Sequence, residues 1–212
     1  MCWSATADLV AGTGIAAVGA ASVLRVRESR DLPLAALPLL LGAHQIVESA
    51  VWHRGGGGGT ATVLWAVVAL PLLAVWVPAG VWCAAGPPAR PRLTVPLAVG
   101  TATAAVLAYG LATGPVTAEI HGRTIGYAFD LPRPPLLVVG YLLATVGSLL
   151  LSGDRRLSLL GLLVAVGALV CWALWRLEFV STWCALAAVC SVVLFDWTRT
   201  RPPAETPGMP VA

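Results

Sequence analysis

Apolar residues in this chain come in blocks rather than stripes. Seven runs, at about 8–24, 32–52, 61–84, 93–112, 135–152, 157–175 and 179–197, are nearly continuous in Ala, Val, Leu and Gly. A helix crossing a ~30 Å hydrocarbon core needs about 20 residues at 1.5 Å each. Each run reaches or approaches that length, so the pattern predicts an all-α polytopic membrane helix bundle with seven transmembrane helices. Polar or Gly/Pro-rich breaks at 25–31, 55–59, 86–92, 113–135 and 152–156 separate the runs. The last break is weaker, because 168–200 contains neither Gly nor Pro. One helix of that length would be about 50 Å long, too long for the core. A tight turn is therefore expected at 176–178, where Arg176 and Glu178 are the charges in that run before Asp196.

Composition agrees with this pattern. Of 212 residues, 58% are hydrophobic and 11% charged, against about 25% charged in a soluble domain. All 13 basic residues are Arg, and they lie between apolar runs instead of forming a patch, which argues against a nucleic-acid partner. With seven spans, Arg25, Arg27, Arg30, Arg90, Arg92, Arg155, Arg156, Arg199 and Arg201 fall on one side; Arg54, Arg123, Arg133 and Arg176 fall on the other. The excess of positive charge then places the N-terminus outside and the C-terminus in the cytoplasm. The chain divides into a transmembrane domain, 1–198, and a Pro-rich tail, 199–212, expected to be disordered. The start lacks the basic segment of a cleaved signal peptide. Cys83, Cys171, Cys184 and Cys190 sit in apolar runs, where free Cys behaves as a small hydrophobe.

Candidate chemistry centres on the second run, LLLGAHQIVESAVWH. His44, Glu48 and Trp52 recur at four-residue intervals, so a helix places them on one face, with Gln45 beside them. A carboxyl group in a membrane helix is costly and marks a site by default. Apolar surroundings disfavour its charged form, so Glu48 is expected to keep its proton and act as a general acid. The competing reading is a structural Glu paired with Arg176 or bonded to a neighbouring helix. At the N-terminus, Cys2 offers a thiol, while Ser4 or Thr6 is a helix cap and Asp8 suits the first-turn dipole. The 113–135 loop carries Glu119, His121, Arg123, Tyr127 and Asp130, and its GRTIGYAFDLP alternation reads as a short hairpin or re-entrant lid. Nine Trp are present, of which Trp3, Trp52, Trp172, Trp175 and Trp183 fall near the outer ends. They fit an interfacial belt, or a pocket whose ring faces stabilise a cation. No HxxxH, HExxH or CxxC pairing, phosphate loop or aspartate-rich Mg²⁺ motif is present, so neither a metal nor another cofactor is expected.

The segments MCWSATADLVAG, DLPLAALPLLLGAHQIVESAVW and FVSTWCALAAVCSVVL resemble a bacterial membrane family with an MCxSA start. The chain is also similar, in size, span count and start motif, to the small bacterial integral-membrane terpene cyclases of indole-sesquiterpene biosynthesis. That resemblance implies an isomerase or lyase without redox change in the bacterial cytoplasmic membrane. It would protonate an epoxide or alkene of a farnesylated indole or similar prenylated aromatic, a lipophilic partner that dissolves among the membrane lipids. The fungal meroterpenoid cyclases, similar in size, use paired acidic residues. Carried over, Glu48 is the acid, with Asp8, Glu178 or Asp196 as partner; Asp8 and Glu178 share its end of the bundle. His44, Gln45, Arg176 and Tyr127 would support it, and Trp3, Trp52, Trp175 and Trp183 would line the substrate and stabilise the carbocation. The alternative is a metal-dependent membrane hydrolase or metal-binding protein using Cys2, His44, Glu48 and His121. A transporter or accessory subunit is a third reading.

Overall fold

The computed structural model describes residues 4–174 and 178–201. Its elements run α1 (Ala5–Val23), a 3-10 turn (Ser29–Asp31), α2 (Leu32–Ala35), α3 (Leu37–His53) and α4 (Thr60–Val67). A π-helical turn (Val68–Leu72) leads into α5 (Leu73–Ala84) and α6 (Arg90–Thr113). A hairpin of β1 (Val116–His121) and β2 (Thr124–Phe129) precedes α7 (Pro134–Leu151), α8 (Arg155–Leu174), α9 (Phe179–Cys190) and α10 (Val193–Thr200). Among the described residues they make seven helical stretches long and apolar enough to cross a membrane. This is the architecture of a multi-pass membrane protein. Leu150, Leu162, Val166 and Leu169 point outward from it, as lipid-facing side chains do, while the helices satisfy their own backbone.

The chain is mostly helical, and the departure from all-α among the described residues falls in the loop expected to form a short hairpin or re-entrant lid. The 113–135 segment folds into an antiparallel hairpin in which Val116 pairs with Phe129 and His121 with Thr124. Gly122, in the left-handed region at φ 62°, makes the tip. β1 also docks on the glycine run after α3: Gly57 N–H donates to Ala118 O at 2.7 Å, and Ala118 N–H returns the bond at 3.1 Å. Gly57 holds a φ of 79° there, a conformation side chains with a Cβ resist. Of the expected turn at 176–178, Glu178 precedes α9, and 175–177 lie outside the described residues. The chain stays helical to Thr200, past the expected start of the tail at 199, and residues 202–212 lie outside the described residues.

Small residues set the helix spacing. α1 and α3 run antiparallel, and an added Cβ on Gly12 would stand 2.7 Å from Gly42 O, or on Gly19 2.1 Å from Leu39 N. Between α5 and α6, a Cβ on Gly100 would meet Ala74 O at 2.2 Å. Pro71 gives the wide turn its cause: it has no N–H to donate, and its ring collides with the carbonyl four residues back. Leu73 N–H consequently reaches Val68 O, and Ala69 O accepts from Tyr141 Oη at 2.6 Å, tying α7 to this turn.

The end of the bundle away from the hairpin is closed by Arg201. Its guanidinium donates to Asp31 Oδ1 at 2.9 Å and to Ala84 O, and stacks 4.6 Å over Trp197. Trp197 Nε1 donates to Asp154 Oδ2 at 3.1 Å, while Asp154 Oδ1 caps α8 through Arg156 N–H and Leu157 N–H.

Candidate active site

The face of α3 that carries His44, Gln45, Glu48 and Ser49 is wholly buried. α1 covers it from one side. Ser4 caps α1 by accepting from Ala7 N–H at 3.2 Å, which leaves Asp8 free to turn inward, and it is 0% exposed. Asp8 Oδ2 accepts from Trp52 Nε1 at 2.8 Å, and Ser49 Oγ donates to Ala5 O at 2.8 Å. These bonds fix the first turn of α1 against the last two turns of α3. Asp8 lies close enough to Glu48 for their charges to interact.

Glu48 is also 0% exposed. Ser181 Oγ, from the first turn of α9, donates to Glu48 Oε1 at 2.5 Å. Glu48 Oε2 makes no well-formed hydrogen bond among the described residues, although Trp65 Nε1 lies near enough to the carboxyl to interact with it. Asp8 Oδ1, Gln45 Nε2 and both ring nitrogens of His44 have no hydrogen-bond partner among the described residues. Each such buried group costs about 1–3 kcal/mol. A concentration of them at one helix junction marks it as a candidate site.

Ser181 was not among the residues expected from sequence. A serine in FVSTWCALAAV carries no motif, and its role comes from a contact 133 positions away in the chain. His44 packs its ring 5.1 Å from Trp65. Trp65 in turn stacks on Tyr127 of β2, with centroids 3.5 Å apart and planes 2° from parallel. Three rings thus connect the hairpin to α3. Glu178 is placed at the hairpin, with His121 Nδ1 3.7 Å from its carboxylate and His121 Nε2 3.6 Å from Glu119. Asp196 sits at the far end with Arg156, 2.6 Å away. Cys2, Trp3, Trp175 and Arg176 lie outside the described residues. Among the described residues, no group of three or more His, Cys, Asp and Glu is placed to hold a metal ion.

Beside this carboxyl pair lies an apolar, half-enclosed cavity of about 130 Å³. α7 and α9 form its walls, with Phe129, Tyr141, Phe179 and Trp183 as its rings. Trp183 is held by its Nε1, which donates to Val164 O at 3.0 Å, and Tyr141 by its bond to Ala69 O. Glu48 itself is not in the cavity wall. Cys184, one turn after Ser181, is in the wall, and it lies within electrostatic range of Glu48.

The profile of a family of unknown function (DUF6629) matches residues 1–208. The chain belongs to that family. No curated protein matches it, and no solved structure does. The match takes in all of the elements above, the Asp8–Glu48–Ser181 junction and the aromatic cavity included.

Proposed function

We propose that this protein is an integral-membrane terpene cyclase that starts reaction by protonating an epoxide or alkene of a prenylated aromatic such as a farnesylated indole. The observation that carries the reading is Glu48: fully enclosed, with Oε1 bonded to Ser181 and Oε2 making no well-formed hydrogen bond among the described residues, Trp65 Nε1 lying nearby. A serine that donates to Oε1 leaves the acid proton on Oε2, so the carboxyl has a defined donating edge. General acid catalysis of this kind contributes about 10²–10⁴-fold. The polyene then closes as a carbocation, for which Tyr141, Phe179 and Trp183 offer ring faces, worth up to ~2 kcal/mol per dry cation–π contact. Loss of a proton from the last cation ends the sequence, so one proton enters, one leaves, and the product is an isomer of the substrate. Asp8, held by Trp52 and within electrostatic range of Glu48, is the second carboxyl of the pair and the group through which that proton returns. Apolar walls exclude water, which would otherwise trap the cation as an alcohol.

The arginine distribution sets the orientation within this proposal. The end bearing Arg25, Arg27, Arg30, Arg90, Arg92, Arg155, Arg156, Arg199 and Arg201 faces the cytoplasm of a bacterial cell, and the Glu48 end faces outward. The test is direct. Membranes containing the protein are incubated with linear farnesyl indole and with its terminal epoxide, with and without a chelator. The proposal expects a cyclic product of unchanged mass that forms equally well in the chelator. Recovery of both linear compounds unchanged would overturn it.

A further inference from the structure

The half-enclosed cavity does not end at Trp183. A second cavity of about 50 Å³ abuts it through Tyr141, Trp183 and Cys184. This inner chamber continues toward the arginine-rich end, among Leu41, Val77, Leu149, Val164 and Ala187. On α7 the two linings together cover residues 134–149, about 22 Å of helix at 1.5 Å per residue. One leaflet of a ~30 Å core is about 15 Å deep, the reach of one lipid chain.

The walls present almost nothing that a polar ligand could use. Tyr141 Oη is committed to Ala69 O at 2.6 Å, and Trp183 Nε1 to Val164 O at 3.0 Å. In the inner chamber, Thr145 Oγ1 donates to Tyr141 O at 2.8 Å and Ser191 Oγ to Ala188 O at 2.6 Å. Only the Cys184 thiol remains as an uncommitted donor among the lining side chains, and a thiol is a weak one. A headgroup, sugar or carboxylate placed here would lose its hydration without compensation. A hydrocarbon tail loses nothing by entering.

We propose that the two chambers form a single slot for the isoprenoid tail of the substrate, and that the inner chamber, bounded by Val77 and Ala187, sets how long a tail is accepted. This rests on the cyclase reading for its ligand class but is read by binding, without turnover. The experiment is native mass spectrometry of the full-length protein released from detergent, titrated with farnesol, geraniol or hexadecanol as probes. One farnesol should bind per chain, more tightly than hexadecanol. Ala187→Leu, which fills the inner chamber, should weaken farnesol at least tenfold and leave geraniol within twofold. If that variant fails to fold, Val77→Leu, one methylene larger, should weaken farnesol selectively by about threefold. Equal weakening of both prenols, no effect on either, or tighter binding of hexadecanol would overturn the proposal; the last result would assign the slot to a membrane acyl chain. Farnesol binding by a protein that converts neither linear compound would sink the cyclase reading and leave the slot standing, so the two failures are separable.

Discussion

Replacing Gly42 with Ala should open the α1–α3 junction and disconnect Asp8 from the Glu48 face. A Cβ at Gly42 would stand 2.4 Å from Ala16 N, whereas ordinary contact begins at 3.4 Å. The obstruction is helix backbone, which cannot swing aside as a side-chain tip can, so the helices must part by about 1.0 Å. The Ser49–Ala5 and Trp52–Asp8 bonds, each 2.8 Å, would lengthen to about 3.8 Å, beyond hydrogen-bond range. Overpacking of this kind costs about 1–3 kcal/mol, and each bond lost within a membrane adds about 0.6 kcal/mol. Alanine's better helix propensity returns up to about 1 kcal/mol. The net expectation is a loss of about 2 kcal/mol. Gly14→Ala is the matched control: it gains the same propensity, and nothing lies within 4 Å of its added Cβ. Unfolding titrations in mixed detergent micelles should show Gly42→Ala destabilised and Gly14→Ala unchanged or slightly stabilised. Equal stability of the two variants would refute the close-packing argument and the placement of Asp8 that follows from it.

Ser181→Ala should lower the cyclisation rate about tenfold or more with little change in KM, and Ser181→Thr, which restores a hydroxyl, should recover most of it; steady-state kinetics in membranes would show this. Tyr141→Phe leaves Ala69 O without its donor and should cost about 0.6–1.7 kcal/mol in micelle unfolding. Arg201→Ala strands the mostly buried Asp31, and an expected loss of about 2 kcal/mol lies between exposed and buried pairs. Adding Asp31→Asn to Arg201→Ala should restore part of that stability, which a double-mutant cycle would measure.

Blocks of apolar residues made the spans legible before any coordinates, because a span is specified by length and hydropathy and by little else. Glu48 was legible for the same reason: one carboxyl in LLLGAHQIVESAVWH stands out against its apolar neighbours. Its surroundings were not. Ser181 and Trp65 come to Glu48 and His44 from other helices, and in a membrane helix a serine or tryptophan has several ordinary uses. The role of Pro71 was likewise hidden. Its effect reaches the cavity only through the π turn, Ala69 O and Tyr141, a chain of contacts with no local signature. The hairpin showed as an alternation in GRTIGYAFDLP, yet its anchoring depends on Gly57 meeting Ala118, a pairing between a loop and a strand distant in the chain. His44 shows the limit of helical periodicity, which put it on the Glu48 face without revealing that its ring packs on Trp65.

Turnover by Glu48→Gln tests the central claim most directly. Glutamine keeps the size and hydrogen-bonding shape of the side chain but has no acid proton to give. In membranes with matched protein levels and intact farnesol binding, conversion of linear farnesyl indole or its epoxide should fall at least 10²-fold, the lower end of what general acid catalysis supplies. Cyclisation by Glu48→Gln at the native rate would contradict the account.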